Sequence, residues 1–144
     1  MKRPQRKALA QGALPDLLGY RLRLAQQAAF RDFAASVQGL SPGRVGLLIL
    51  IDANPGVTQG RLAQAVGLDR STMVGVIDAL EDRGLIERRR GADRRTNGLW
   101  LTRAGRSFVT RLRRRIELHE RRVAAHLTPA ERDQLLALLE KLGR

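Results

Sequence analysis

Arg88, Arg89, Arg90, Arg94 and Arg95 fall within one short stretch, LIERRRGADRRTNGLWLT, residues 85–102. A guanidinium donates forked hydrogen bonds to carboxylates and phosphates and stays charged across the physiological pH range. Five such groups this close repel one another and cannot be buried unpaired, so packing gives no reason for them. An external polyanion does. Asp93 sits among them, and its carboxylate could orient one neighbouring guanidinium through a charge-assisted hydrogen bond. An exposed acid without a role is the other reading.

The charge is regional. Residues 83–122 hold fourteen arginines against four acids, Glu87, Asp93, Glu117 and Glu120, within a chain of net charge +13. A second basic cluster, Lys2, Arg3, Arg6 and Lys7, opens the chain. Localised basic charge suggests nucleic acid as partner. Charge alone leaves open a solvated basic surface. A membrane surface fits less well, because the arginines are not confined to one amphipathic helix.

Other chemistries find little to use. There is no cysteine, which removes disulfides, zinc–thiolate sites and thiol sensing together. His119 and His126 are joined by no acidic or sulfur ligand at helical spacing, so no metal site is expected. No glycine-rich phosphate loop precedes a helix and no carboxylate pair is evident, so neither an enzyme nor a cofactor is expected.

At 144 residues, 43% hydrophobic and 28% charged, the chain reads as one globular domain. No apolar run approaches the ~20 residues that cross a bilayer. The opening MKRPQRKALAQG lacks an apolar signal stretch, so a cytoplasmic protein is expected.

Residues 1–13 read as a flexible basic arm with Pro4 and Gly12 as breakers. From about 15 to 38 two apolar stripes lie side by side, Leu17, Tyr20, Leu24 and Ala28 beside Leu18, Leu22, Ala25, Ala29 and Phe33. A helix apolar over so wide an arc needs cover on more than one side. Ser41 and Pro42 start a second helix that stops near Asn54, before Pro55 and Gly56. Thr58 caps a short third helix that turns Leu62, Ala63 and Val66 inward and closes at Gly67. Asp69 caps a fourth, with Met73, Ile77 and Leu80 inward and Gly84 at its end.

The period then changes. Ile86–Arg90 and Gly98–Leu101, joined by GADRRTN, read as a β-hairpin with a long loop. A long helix follows from about Arg103 to His126, with Val109, Leu112, Ile116, His119 and Val123 at spacings of three and four. The last helix opens with a capping box, Thr128 and Glu131 around Pro129, and carries Leu135, Leu136, Leu138, Leu139 and Leu142.

Two short helices about a glycine turn, then a basic hairpin, is the order of a winged helix-turn-helix. Its second helix enters the major groove while the first crosses the backbone. The fourth helix fits this role at one end only. Arg70, Ser71, Thr72 and Gly75 occupy its N-terminal half, where the helix dipole also favours phosphate. Asp78, Glu81 and Asp82 occupy the other half and would repel it. Gly75 costs about 1 kcal/mol relative to alanine in a helix; either the site tolerates it or its missing side chain lets the helix lie closer to base edges. Thr58 and Gln59 open the helix that crosses the backbone. Arg89, Arg90, Arg94 and Arg95 would lie along the sugar–phosphate rail, with one arginine at the tip able to enter a narrow minor groove. Trp100 is expected to pack the ribbon against its lobe. With so few aromatic residues, base stacking on single strands is not expected.

The stretch STMVGVIDALEDRGLIERRRGADRRTNGLWLTRAG resembles the signature of the MarR family of bacterial transcription regulators. The family's Asp-x-Arg, then Leu-Thr, then Gly is met by Asp93, Arg95, Leu101, Thr102 and Gly105. Upstream, LSPGRVGLLILIDANPGVTQGRLAQAVGLDRST is similar to the family's second helix and helix-turn-helix. The resemblance covers about residues 40–105 in motif and 15–142 in helix order.

It implies a mainly α fold (α+β), a winged helix-turn-helix over 39–105 with dimerisation helices over 14–38 and 106–144. It implies a homodimeric repressor of double-stranded DNA that reads a palindromic operator. Arg95 would be the minor-groove arginine, Asp93 its orienting neighbour, and Ser71 and Thr72 groove-facing. It further implies release by a small aromatic or phenolic acid, and the surplus arginines extend that class to an acyl-CoA. Tyr20, Leu24, Leu47, Ile51, Phe108 and Leu112 are candidate liners, with Arg21 or Arg23 as carboxylate partners, although ordinary core is the favoured reading of the aliphatic ones. Arg111, Arg113, Arg114 and Arg115 could meet a nucleotide or simply face water. The rival reading is a basic architectural protein that binds nucleic acid by charge, with steep salt dependence and no sequence preference.

Overall fold

The computed structural model describes residues 9–37, 39–91 and 96–143. A single 3-10 turn, Leu14–Asp16, precedes α1, Leu18–Ser36. The helix is thus shorter at both ends than its stripes predict. Pro15 sits in the turn, Leu17 is extended, and the Arg21 Nε donates to the Pro15 carbonyl at 2.7 Å, folding the turn onto the helix.

Capping decides the next three starts. The Ser41 hydroxyl accepts the Arg44 N–H at 3.4 Å and opens α2, Pro42–Ala53. The Thr58 hydroxyl accepts the Arg61 N–H at 3.3 Å and opens α3, Gln59–Val66. Asp69 accepts the Thr72 N–H at 2.9 Å and opens α4, Arg70–Asp82. Gly67, at φ 68°, makes the left-handed turn between α3 and α4 that a side chain would resist.

Three strands follow from the hairpin and one unexpected neighbour. Val57–Thr58 forms β1, Ile86–Arg90 forms β2 and Asn97–Leu101 forms β3, in the order β1-β3-β2. All pairs are antiparallel, from Ile86↔Leu101 to Arg90↔Asn97 and with Val57↔Leu99 on the far side. Two residues carry no periodicity of their own, so β1 exists only because β3 offers it an edge. Gly98 permits the approach: a Cβ there would stand 2.8 Å from the Gly56 carbonyl oxygen.

The long helix, α5, runs Arg103–Val123, ending before His126, and α6 runs Pro129–Leu142 behind its capping box. The joint into α5 explains part of the motif. The Thr102 hydroxyl accepts the Gly105 N–H at 2.9 Å and donates to the Gly84 carbonyl at 2.6 Å. A Cβ on Gly105 would lie 1.9 Å from the Leu85 carbonyl oxygen. Thr102 and Gly105 therefore weld the ribbon to α5 within the chain.

The core lies between α2, α3, α4 and the sheet, with Leu48, Ile51, Met73, Ile77, Leu80, Ile86 and Leu99 fully buried. Phe33, Val37, Val109 and Leu112 extend it between α1 and α5. One residue expected to face inward does not. Val66 is 39% exposed, because the last turn of α3 passes the core and borders a groove with Leu50, Leu68 and Val76. Val123 is 47% exposed and lines an open groove with Ala25, Ala28, Leu127 and leucines of α6.

Much apolar surface remains uncovered. Of α1 only Phe33 is buried, while Leu18 and Phe30, and Leu17 just before the helix, are at least half exposed; α6 buries none of its leucines. Among the described residues no helix is long and apolar enough to cross a membrane.

Candidate nucleic-acid interface

The two faces of α4 separate cleanly. Met73, Ile77 and Leu80 enter the core, and Ser71, Gly75, Asp78 and Asp82 are exposed on the opposite side. A Cβ added at Gly75 would meet no atom within 4 Å among the described residues, so none of their packing asks for glycine there. Arg70 and Val74 take the flank toward the ribbon. With Thr58, Gln59, Arg88, Thr96 and Asn97 they line a cleft of about 540 Å³ between α4 and the wing.

Thr72 differs from its expected place beside Ser71. Its hydroxyl donates to the Asp69 Oδ2 at 2.5 Å, completing the cap, and it borders the groove toward α2 instead. Two positions along a helix differ by 100° each, so residue 72 cannot share the outward line of 71 and 75. The same hydrogen bond, helped by the Thr72 N–H, holds the Asp69 carboxyl below the usual carboxylate range.

On β2 the side chains alternate. Arg88 and Arg90 lie on the face shared with Leu99 and Asn97, and Glu87 and Arg89 on the face shared with Trp100. Arg88 is not free: its Nη2 donates to Asp78 at 2.5 Å and its Nη1 to Glu81, both on α4. The hydrogen bond to Asp78, chiefly, raises the Arg88 pKa above its ordinary value. Arg89 pairs with Glu87 and lies over the Trp100 ring at 5.4 Å. Trp100 in turn packs on Gly56, where a Cβ would stand 2.9 Å from the ring, and so presses the ribbon against the β1 turn. Arg90 is exposed. Asp93, Arg94 and Arg95 lie outside the described residues.

Sequence reasoning passed over Val74, Asn97 and the partners of Arg88. Val74 was legible, since it stands one turn from Arg70 on the same flank. The ion pairs were not, because they join residues on different elements.

The candidate effector residues are scattered. Arg23 stacks over Tyr20 at 5.1 Å, and Arg21 is tied to Pro15. Leu24 is 38% exposed, whereas Leu47, Ile51 and Leu112 are at most 4% exposed and belong to the core. Phe108 and Leu112 share a crevice of about 100 Å³ with Val37, Arg111 and Arg115, well below the roughly 300–1,000 Å³ of ligand pockets. Neither Tyr20 nor Leu47 reaches it. Arg113, grouped with Arg111 by sequence, is instead 3.0 Å from Asp52, which ties α5 to α2.

This geometry has close counterparts. The family model described as MarR family matches residues 38–96. Over 140 residues the chain is 39% identical to a protein described as a regulator for the hcr operon of Thauera aromatica, covering 94% of this chain and 84% of that protein. The transcriptional repressor CouR bound to a 23-mer DNA duplex is 39% identical with a TM-score of 0.90, covering 96% of this chain and 100% of that one. CouR bound to p-coumaroyl-CoA is 38% identical with a TM-score of 0.88, covering 95% and 99%. Likeness of this extent, spanning the helix-turn-helix, the ribbon and the flanking helices alike, places the chain in the MarR family of transcriptional regulators.

Proposed function

We propose that the protein is a homodimeric, cytoplasmic repressor that binds a palindromic operator in double-stranded DNA and leaves it when a small aromatic acid, or its CoA thioester, binds. The leading turn of α4 enters the major groove with Arg70, Ser71 and Gly75, while Thr58 and Gln59 at the start of α3 meet the backbone. Arg89, Arg90 and Arg94 follow the phosphates, and Arg95, set by Asp93, enters the minor groove.

One observation carries this reading: Ser71 and Gly75 stand exposed beside the cleft that Arg70 lines, and among the described residues nothing would meet a Cβ at Gly75 within 4 Å. A relative of the same fold, CouR, has been seen on a DNA duplex. The homodimer is supported by the leucines of α1 and α6, which a single chain leaves open. Two-fold symmetry then spaces the half-sites by about 34–36 Å. The effector class is supported by CouR held with p-coumaroyl-CoA. Of the eight sequence candidates, Tyr20 and Arg23 fit a ligand best, since they stand together outside the core.

Fluorescence anisotropy at fixed salt tests the reading. A palindrome from the gene's own upstream region should bind far more than about tenfold tighter than a scrambled duplex. Equal affinity for both would make the protein a charge-driven binder instead. Release by p-coumaroyl-CoA, or by 4-hydroxycinnamate, tests the effector half separately.

A further inference from the structure

Arg88 lines the cleft beside α4 and belongs by position to the ribbon's basic row, yet its bonds run back into the protein. The guanidinium forks across Asp78 and Glu81, which are one turn apart on α4. Its own N–H also donates to Glu81 at 3.3 Å, so main chain and side chain grip the same carboxylate. The arginine side chain is only 27% exposed, whereas Asp78 is 51% and Glu81 37% exposed. One positive charge thus faces two negative ones. The trio as a whole is anionic, and it sits where the C-terminal half of α4 would approach phosphates.

We infer that Arg88 is a positioning and specificity-determining residue: held by Asp78 and Glu81, it locks the wing to the recognition helix and screens their carboxylates, and it is withheld from the phosphate backbone. The inference rests on the DNA-binding reading above. The physical logic has two parts. Removing Arg88 would leave two uncompensated carboxylates facing DNA, a like-charge juxtaposition that disfavours binding strongly at low salt. Neutralising the acids would release an arginine able to grip any phosphate, which raises affinity without regard to sequence. The acidic pair therefore limits non-specific binding, a role that a row of arginines by itself cannot fill.

Four variants decide the matter, each measured on the palindromic and the scrambled duplex over a salt series, with thermal melts to confirm folding. Arg88→Met should weaken palindrome binding by about tenfold or more at low salt, with the loss shrinking as salt rises. Adding Asp78→Asn and Glu81→Gln to it should restore affinity to within about threefold, because the repulsion is gone. The acid pair alone, Asp78→Asn with Glu81→Gln, should tighten scrambled-duplex binding several-fold and so narrow the preference for the palindrome. Arg88→Lys, which keeps the charge and loses the fork, should fall between wild type and Arg88→Met.

If Arg88 were a phosphate ligand, the neutral triple variant would stay as weak as Arg88→Met. The salt slope would then fall by about 0.9 in both. That pair of results overturns the inference. So does unchanged scrambled-duplex affinity in the acid-pair variant. Should the wild type show no preference for the palindrome, the operator reading fails. The scrambled-duplex arm still tests the trio alone, because released arginine must raise that affinity.

Discussion

The His119 Nδ1 lies 2.6 Å from the Asp32 Oδ2, joining residues 87 positions apart on α5 and α1. Arg122 grips the same carboxylate in a fork, Nε to Oδ1 at 2.7 Å and Nη2 to Oδ2 at 3.0 Å, and its Nη2 also donates to the Ser36 hydroxyl. The buried imidazole stands edge-on to Phe33, with ring centroids 5.2 Å apart. Polar fork and apolar ring together fix the angle at which the two long helices cross. In the proposed dimer this crossing and α6, which buries none of its residues, would together shape the surface that a second copy meets.

That fork makes stability depend on acid. The hydrogen bond from Arg122 chiefly, and then that from His119, lowers the Asp32 carboxyl from its ordinary 3.8 to about 2. A depressed carboxylate stabilises the fold in full above its unfolded pKa and loses that contribution as pH falls through the folded one. Urea midpoints of the wild type should therefore exceed those of Asp32→Asn at pH 5 and above, and the two should converge near pH 2. A gap that does not narrow on acidification would mean that the Asp32 charge contributes nothing to stability.

Gly105→Ala drives a methyl into a backbone carbonyl that cannot move without opening the joint between Leu85 and α5. The cost should reach the upper end of overpacking penalties, about 3 kcal/mol. Thr102→Val, which removes the cap and the bond to Gly84, should cost about 1–2 kcal/mol. Denaturant midpoints check both; changes within about 0.5 kcal/mol would remove the joint from the stability account.

Gly75→Leu separates folding from binding. A Cβ at this position meets none of the described residues within 4 Å, and the helix loses its glycine penalty of about 1 kcal/mol. The melting temperature should hold or rise while palindrome affinity falls. A variant that is stable and binds normally would show that α4 does not lie deep in the groove.

Arg95→Ala should weaken palindrome binding by on the order of 1–3 kcal/mol and relax the preference at the A·T-rich flank beneath the wing tip. Anisotropy on duplexes with G·C substituted there checks it. Equal affinity before and after would put the tip arginine outside the minor groove.

Leu135→Glu with Leu139→Glu alters residues that are 43% and 39% exposed in the single chain, so the fold should survive. The proposed dimer should not. Sedimentation should show a monomer, and palindrome affinity should drop by about tenfold or more once the two half-sites bind separately. A variant that still sediments as a dimer would exclude α6 from the interface.

Local order was legible in the residues themselves. Ser41, Thr58, Asp69 and Thr128 each cap the helix that spacing assigns them, because a cap is a contract between neighbours three positions apart. The hairpin, the inward faces of α4 and α5 and the order of the helix-turn-helix follow from the same short-range rules, and the motif around Leu101, Thr102 and Gly105 is legible as a likeness before its use as a joint is visible. What the sequence could not decide is which charges are spent at home. Arg88, Arg113 and Arg122 look like their neighbours in a string of letters, and only the folded chain brings Asp78, Asp52 and Asp32 within reach of them. An ion pair depends on distances between elements, whereas caps and stripes depend on distances along one. Tertiary structure therefore divided the arginines into those that hold the protein together and those left over for a partner.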